Sequence, residues 1–548
     1  MRSFKHGSAA WKYLRFGALA LGSALLMPQL SSCNLVVDTS TEQCESDSDC
    51  SAKGGAFTGT LCTEQKVCER LVCSSSAECS TRLGEAAVCR PSDNSCAKLR
   101  TDDCTEIFPE DALMEGETIV LGFMGPLRDQ FASVGIPLRQ GAELALNEIE
   151  TRTNGLPAAG GSSQQRHLVM LGCHDIDNPE AVAKHLVDNV QVPAILGPAF
   201  SGITVQVTTD VTVPANVMTI SASATSPDIT SLNDKGLVWR TAPSDTIQAI
   251  PLAELVLKVE EILRNDGKLG VGESARIAIA AKDDAYGLGL ADAVFAQMQA
   301  QGVGAASDSK LLLRRDYADP ADNENVDWET PASEIVSFHP HVIFGLGTNE
   351  FVTELLTRVE SKWDTADRPK YLLPEGGKVD ELEGIVAAQP DLSARILGTV
   401  PGAQLAPGYS GFAQRFSAFF NEPPGTFSEF AYDAAYLLAY AIAITGQAHP
   451  NGTQMAEAMK HMTCSDKTLV PAGPTNFSGL FQNAATNQCI DFDGVSGPLD
   501  FNNDTGEASS DIAIWCPERS GSNVSLSAQA EYYSAAEGAI QGTVTFCP

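Results

Sequence analysis

The sequence predicts an α/β protein in which two lobes, each built on a doubly wound parallel sheet, follow a small disulfide-rich region. Twice along the 548 residues, apolar runs of strand length alternate with segments of helical period, which is typical of parallel sheets. Nine cysteines crowd into residues 44–104, where apolar residues are too few for a core. The chain is 43% hydrophobic and 19% charged, which excludes a coiled coil, a collagen-like repeat and a wholly disordered protein.

The N-terminus has the pattern of an export signal. Basic residues precede an apolar stretch at 16–27 that is too short to span a bilayer, and Leu-Ser-Ser-Cys33 follows. The last four residues resemble the bacterial lipobox, so residues 1–32 are predicted to be a lipoprotein signal peptide and Cys33 the lipidated residue. An ordinary signal peptide with an incidental cysteine is the alternative. Either reading predicts an extracytoplasmic protein, and the lipobox adds a membrane anchor.

Residues 33–115 are predicted to form a stalk stapled by disulfides. The spacing Cys-x5-Cys-x11-Cys-x5-Cys from Cys44 recurs as Cys-x5-Cys-x9-Cys-x6-Cys from Cys73, an internal repeat of about 29 residues. Zinc is the alternative, but close pairs such as C-x2-C and histidines are both missing from residues 34–104. The pairing within each quartet stays open. The later cysteines are expected to bond among themselves and with Cys104: Cys173, Cys464, Cys489, Cys516 and Cys547.

From Gly116 onward the pattern of an α/β domain begins. Strands are predicted at 118–122, 167–171, 193–196, 217–220, 237–239, 275–280, 341–344 and 370–373. Helices are predicted at 138–150, 179–189, 246–264, 287–300 and 350–360. In parallel sheets ligands bind beyond the carboxyl ends of the strands, so the loops that follow the strands are the candidate site.

The net negative charge of the chain limits the kinds of molecule that the protein is expected to bind. There are 69 acidic residues against 36 lysines and arginines, a formal charge of −33, or −33 − 4 = −37 without the first 32 residues. Such a surface repels phosphate backbones and anionic lipid, so nucleic acid is excluded as a partner. A neutral, zwitterionic or cationic small molecule fits the charge. The sequence predicts neither a metal site nor a cofactor.

Eight short motifs, in their order along the chain, resemble those of the branched-chain amino acid (Leu/Ile/Val) solute-binding proteins of ABC importers. These proteins have the type I periplasmic binding fold. The motifs lie at 120–126, 141–149, 195–201, 221–227, 239–245, 284–287, 431–433 and 497–501. The resemblance implies two lobes joined by a three-strand hinge over residues 116–517. It implies an N-terminal lobe of about 117–242 and 375–496, a C-terminal lobe of about 246–372 and 497–517, and a C-terminal extension at 518–548.

The resemblance also assigns binding roles to individual residues. Ser201, at the start of a helix, would hold a ligand carboxylate, and an N-cap is its structural alternative. The Ser223 carbonyl would accept from the ligand's ammonium and the Thr225 hydroxyl would add a bond. Tyr286 would cover the ligand from the second lobe, and Phe131 would line the pocket for its side chain.

The resemblance further implies an acid that meets the ammonium. That position falls closest to Asn325, with Glu324 beside it, in an acidic loop that is otherwise expected to be solvated.

These residues predict a lipid-anchored binding protein that captures an amino acid or a related amide or carboxylate for an ABC permease and its ATPase subunits. The second hypothesis is a sensor that reports the same lobe closure to a signalling partner. An enzyme is the third, and the sequence lacks the G-x-S-x-G and H-E-x-x-H motifs that would favour it.

Overall fold

The structure is a computed structural model that describes residues 42–547 except 54–56, 58–59, 161, 322, 324, 465–466, 468, 477–478, 480, 482–483 and 485–487. The predicted signal peptide, Cys33 and Glu324 lie outside the described residues. Among the helices that are described, none combines the length and the apolarity that crossing a membrane requires.

Two small modules of similar construction begin the described chain. The first consists of α1 (Asp47–Lys53), β1 (Leu61–Cys62) and β2 (Cys68–Glu69), and the second of α2 (Ser76–Leu83), β3 (Ala87–Cys89) and β4 (Cys96–Lys98). In both, a helix precedes an antiparallel strand pair, and the first cysteine bonds the third while the second bonds the fourth. The four disulfides are Cys44–Cys62, Cys50–Cys68, Cys73–Cys89 and Cys79–Cys96.

The remaining cysteines pair as expected, among themselves and with Cys104. The bonds are Cys104–Cys173, Cys464–Cys489 and Cys516–Cys547. Sulfurs of three cysteines approach one another in each small module, but all of these atoms are in disulfides. The disulfide interpretation of the cysteines in the described residues is therefore confirmed over zinc.

The first lobe begins with six strands and four helices. The strands are β5 (Cys104–Phe108), β6 (Glu117–Gly125), β7 (Arg166–His174), β8 (Ala194–Leu196), β9 (Met218–Ser221) and β10 (Val238–Arg240). The helices are α3 (Ala132–Thr153), α4 (Pro179–Lys184), α5 (Ser201–Val207) and α6 (Pro227–Thr230).

The second lobe follows directly after β10. Its helices are α7 (Asp245–Asn265), α8 (Ala285–Ala300), α9 (Glu329–Phe338), α10 (Thr357–Lys362) and α11 (Asp380–Ala388). Its first five strands are β11 (Ile277–Asp283), β12 (Leu312–Ala318), β13 (Val342–Leu346), β14 (Lys370–Leu373) and β15 (Ile396–Pro401). The Ser244 hydroxyl caps α7 and the Asp284 carboxylate caps α8, which explains where both helices begin.

The chain then returns to the first lobe and ends in the second. The returning elements are α12 (Tyr409–Phe420), α13 (Ser428–Thr445), α14 (Gly452–Met459), β16 (Leu469–Pro471), β17 (Asp491–Asp493), β18 (Phe501–Asn502) and β19 (Glu507–Ala508). The final strands are β20 (Ile512–Ser520), β21 (Asn523–Ser534) and β22 (Ala539–Gln541).

Two eight-stranded sheets result. Their strand orders are β18-β19-β10-β9-β8-β6-β7-β5 and β12-β11-β13-β14-β15-β20-β21-β22.

Both sheets are covered on both faces. Along β6, Ile119 and Phe123 belong to one core cluster while Val120 and Met124 belong to another. Residues of β11 alternate in the same way between two clusters of the second lobe. Because successive side chains of a strand point to opposite faces, this alternation requires helices on each side of the sheet. The predicted fold class, two doubly wound α/β lobes after a disulfide-rich region, is therefore confirmed.

The second and third crossovers lie later in the chain than expected. Strand β15 pairs with β14 and β20, so residues 396–401 belong to the second lobe and not to the first. Conversely, β18 and β19 extend the sheet of the first lobe through β10. The crossovers therefore fall near 402 and 509–511, where the Gly402 amide donates to the Asp511 carbonyl at 2.8 Å. These positions correct the lobe boundaries expected near 375 and 497.

The second cysteine module is packed onto the first lobe, and this corrects the expectation of a stalk over residues 33–115. Its Val88 and Leu99 share a core cluster with Val182 and Leu186 of the lobe. The His185 imidazole contacts the Leu99 carbonyl at 2.8 Å. Strand β5 pairs with β7, and thus the last part of the Cys-rich region belongs to the sheet itself.

The segment expected as an extension at 518–548 completes the second sheet. Strand β21 pairs with β20 along its length, and β22 pairs with β21. The Cys516–Cys547 disulfide ties the end of the chain to β20. This segment is therefore an integral part of the second lobe.

We predict that the Cys104–Cys173 disulfide stabilises the first lobe strongly, because it links residues 69 positions apart. Replacing both cysteines by serine should lower the free energy of unfolding by about 4 kcal/mol through the entropy of the unfolded chain. Urea unfolding measures the change, with Cys464→Ser and Cys489→Ser as the matched control. That bond links residues 25 positions apart and should contribute about 1 kcal/mol less. A loss below about 1 kcal/mol for the first pair would contradict the prediction.

Candidate functional site

A cavity of about 620 Å³ lies between the two lobes, where the loops that follow their strands face each other. Both lobes contribute to its walls. Phe131, Ser201 and Ser223 line it from the first lobe, and Lys282, Tyr286 and Glu375 from the second. Four of the sequence-predicted site residues, Phe131, Ser201, Ser223 and Tyr286, are thus brought together at one cleft.

The first-lobe wall is held by hydrogen bonds between the loops after β8 and β9. The Ser223 hydroxyl donates to the Ala199 carbonyl at 2.9 Å. The Ser201 hydroxyl accepts from the Ser226 amide at 3.2 Å, and its side chain is buried at the start of α5. The first amides of a helix lack intrahelical acceptors, so this wall presents hydrogen-bond donors to the cleft.

Aromatic rings form the apolar part of the same wall. Phe131 and Phe200 meet edge to face with ring centroids 5.7 Å apart. Both rings border the cavity, so a ligand bound at Ser201 has an apolar surface beside it. Such a surface favours an aliphatic or aromatic side chain or ring on the ligand.

Thr225 lies behind the cleft and does not line it. The residue is buried, and its carbonyl accepts from the Asp245 amide at 2.8 Å. Burial raises the pKa of the nearby Asp245 carboxyl, and the Thr225 hydroxyl partly opposes that shift. The expected bond from this hydroxyl to the ligand is therefore not supported by its position.

The acidic loop after β12 is also remote from the cleft. Asn325 is exposed on a turn, where its amide donates to Asn323 at 3.0 Å, and it does not border the cavity. Strand β12 is the edge strand of the second sheet, which places the loop that follows it at the side of the lobe. Glu324, the neighbouring candidate, lies outside the described residues. None of the described residues of this loop borders the cavity.

Glu375, in the loop after β14, offers a carboxylate at the cleft. It borders the cavity and is only 6% exposed. The Gln248 side-chain amide donates to its carboxylate and, at 3.0 Å, to the Thr399 hydroxyl. Burial raises the pKa of Glu375, while the nearby Tyr286 hydroxyl and the hydrogen bond from Gln248 oppose that shift. The residue was missed in the sequence, although it follows the predicted strand 370–373 directly, at the end where ligands bind.

Two further buried oxygen-bearing groups lie near Glu375 in the second lobe. Burial and then the charge of Glu375 raise the pKa of Asp245 well above its ordinary value. Burial, followed by the charges of Glu375 and Asp245, raises the pKa of the Tyr286 hydroxyl as well. Glu375 is the carboxylate of this group that borders the cavity, and a carboxylate can accept hydrogen bonds from a cation such as an ammonium group.

The lobes touch each other at one end of the cleft. The Ser226 hydroxyl, beside α6, donates across the gap to the Ala285 carbonyl at the start of α8, at 2.7 Å. The cavity is consequently bounded by both lobes at once.

A cleft between two α/β lobes that are joined by three crossovers defines a bilobal ligand-binding protein. Residues 118–514 match the model of the family described as "Periplasmic binding protein", and the chain belongs to that family. The family assignment agrees with the resemblance to Leu/Ile/Val-binding proteins and implies an extracytoplasmic location.

Two relatives are named as binding proteins for leucine, isoleucine and valine. A "Leucine-, isoleucine-, valine-, threonine-, and alanine-binding protein" of Pseudomonas aeruginosa is 26% identical over 358 residues, which cover 65% of this chain and 85% of the relative. A "Leu/Ile/Val-binding protein" of Rhizobium johnstonii is 30% identical over 191 residues, and the alignment spans only 45% of its length. These relatives are binding proteins and not enzymes.

Solved structures share the fold at low sequence identity. A leucine-binding protein of Thermotoga maritima superimposes with a TM-score of 0.55 at 16% identity and covers 76% of this chain and 99% of its own. A solute-binding protein of Rhodopseudomonas palustris in complex with p-hydroxybenzoic acid gives 0.56 at 15% identity, over 76% and 97% of the two chains.

We predict that Asp245 and Glu375 make the ligand-free protein less stable as the pH rises. Both pKa values are raised in the folded state, which therefore binds more protons than the unfolded chain above the ordinary carboxyl pKa. Asp245→Asn removes one of the two repelling charges and should raise the free energy of unfolding at pH 8 by about 1 to 2 kcal/mol.

Urea unfolding at pH 5 and pH 8 measures this effect. The exposed Asp188→Asn is the matched control and should leave the pH dependence as it is in the unmodified protein. An identical pH dependence in Asp245→Asn and the unmodified protein would show that the two carboxylates do not interact as described.

Proposed function

We propose that this protein captures a small carboxylate-bearing molecule, an amino acid or an aromatic acid, outside the cytoplasm and delivers it to an ABC permease. The cleft carries the proposal, because hydrogen-bond donors on the first lobe face a buried carboxylate on the second. This arrangement is complementary to a molecule with an anionic and a cationic end.

The binding event follows from the positions of the groups. The ligand's carboxylate accepts from the Ser201 hydroxyl and the loop of Ser223, while its ammonium donates to Glu375. Tyr286 closes over the ligand, and the apolar remainder lies against Phe131 and Phe200. Closure brings the two sets of contacts together through rotation at the crossovers near 242, 402 and 510. No bond is made or broken, so the protein acts by binding and not as an enzyme.

The relatives support two ligand classes. Those from Pseudomonas and Rhizobium are named for aliphatic amino acids, and several solved relatives hold hydroxybenzoates. Both classes combine a carboxylate with an apolar body, which the first-lobe wall accommodates. Only the amino acids also supply an ammonium for Glu375.

The proposal also includes a lipid anchor and a partner at the membrane. Lipidation of Cys33 would hold the protein at the membrane surface, next to a permease with its ATPase subunits. Sensing is the second candidate, and the firm attachment of the second cysteine module to the first lobe favours it, because such a module can transmit lobe closure to a partner. A neighbouring gene set for permease and ATPase subunits would favour import, and its absence would favour sensing.

We expect a bound ligand to raise the thermal stability of the mature protein. A ligand at 100 times its dissociation constant adds about 2.7 kcal/mol to the free energy of unfolding. The screen uses L-leucine, other aliphatic amino acids and 4-hydroxybenzoate. Ser201→Ala should weaken binding about 10- to 100-fold, since it removes a hydrogen bond to a charged group. Ser309→Ala, at an exposed turn, is the matched control. Stabilisation that is identical in Ser201→Ala would place the ligand elsewhere.

The pH dependence of binding distinguishes the two ligand classes. Glu375 must be ionised to accept an ammonium, and its pKa is raised, so affinity for L-leucine should fall as the pH decreases through that pKa. The loss approaches about tenfold per pH unit and is absent in Glu375→Gln. Affinity for 4-hydroxybenzoate, which has no ammonium, should not fall in this range. Calorimetric titration between pH 5 and pH 8 measures both, and an equal loss for both compounds would contradict the role of Glu375.

A further inference from the structure

Lys282, the penultimate residue of β11, is a buried cation at the cleft that the sequence did not single out. It is 6% exposed and borders the cavity from the second lobe. Its Nζ lies 2.8 Å from the Asp284 carboxylate and 3.8 Å from that of Asp319. A lysine in such a position is either the neutralising partner of these acids or a group that meets the ligand.

Among the residues that the structure describes, Lys282 has fewer hydrogen-bond acceptors than it has N–H donors. An ammonium has three N–H bonds, and the Asp284 carboxylate is within hydrogen-bond distance of only one. Asp319, at 3.8 Å, attracts the charge without accepting a hydrogen bond. A buried ammonium with unfilled donors at the edge of a cavity is stabilised by an acceptor that enters the cavity.

The charge of Lys282 is maintained by its surroundings. Burial lowers the pKa of Lys282, but the carboxylates of Asp284, Glu350 and Asp319 outweigh this effect and raise it above its ordinary value. Asp284 accepts from the Gly287 amide at 2.7 Å and Glu350 from the Tyr317 hydroxyl at 2.9 Å, so both are fixed by other bonds. Lys282 is therefore the protonated cation of this group.

Lys282 also reaches toward the first lobe at the place where the carboxylate of the ligand would lie. Its Nζ is 5.8 Å from the centroid of the Phe200 ring. Phe200 directly precedes Ser201, which presents its hydroxyl to the same cavity. A carboxylate between Ser201 and Lys282 is in contact with both lobes.

We propose that Lys282 binds the ligand's carboxylate from the second lobe and makes the site selective for ionised carboxylates over the corresponding neutral amides. The inference rests on the proposed function and adds to it a residue that determines the specificity for the ligand's carboxylate. The contact forms only when the lobes are closed, so the same residue links recognition of the carboxylate to closure.

The test compares carboxylates with their amides in matched pairs. The probes are L-leucine with L-leucinamide, and 4-hydroxybenzoate with 4-hydroxybenzamide. For each pair, thermal shift and calorimetric titration give the ratio of the dissociation constant of the amide to that of the acid. Lys282→Met should reduce this ratio about 10- to 100-fold, and Lys282→Arg should retain most of it. Lys310→Met, at an exposed turn of the same lobe, should leave it unchanged.

Each outcome decides between specific alternatives. A lysine that only neutralises Asp284 and Asp319 would change the melting temperature of the ligand-free protein and weaken acid and amide alike, with the ratio unchanged. That result would overturn the inference and leave the proposed function intact. If neither acid nor amide of any pair stabilises the unmodified protein, the proposed function itself is contradicted and the inference falls with it.

Discussion

Charged groups buried at the boundary between two lobes are the constraint on which the rest of this structure depends. Glu375, Asp245 and Lys282, all on the second lobe, have lost most of their contact with water. Such groups are costly unless partners replace the lost hydration. A molecule with complementary charges at its two ends replaces that hydration, and it does so best when both lobes surround it. The binding of a small polar molecule and the closure of the lobes are therefore one event.

The disulfides determine which parts of the chain move together. Cys104–Cys173 ties the Cys-rich region to the sheet of the first lobe, and Cys516–Cys547 ties the end of the chain to the second. Both bonds lie within a lobe, and neither crosses the cleft. The crossovers near 402 and 510 meet at the hydrogen bond between Gly402 and Asp511, and neither disulfide crosslinks them. The Cys-rich region and the C-terminal segment therefore enlarge the two lobes without linking one lobe to the other.

The fold class could be predicted from the sequence, and so could Phe131, Ser201 and Ser223 in the first-lobe wall of the cavity. Strands such as β6 and β14 have long or well-bounded apolar runs, and they were predicted close to their observed positions. Strand β15 was not predicted from the sequence. Its apolar run is short and follows a helix, and such a local pattern does not show which sheet a strand joins. Local sequence patterns do not show the order of the strands in a sheet either. The acidic loop at Asn325 was therefore expected at the cleft, although it follows β12, which is an edge strand. Glu375 and Lys282 were missed for the complementary reason, since only the packed lobes show that these two charges are buried at a cavity.

The most direct test of this account is a crystal structure of the protein grown with the compound that stabilises it most. The account predicts density for that compound between Ser201 and Glu375, with its carboxylate in contact with the first lobe and Lys282 and with the lobes closed around it. A compound bound outside the cleft, or in contact with one lobe alone while the cleft contains only water, would contradict it.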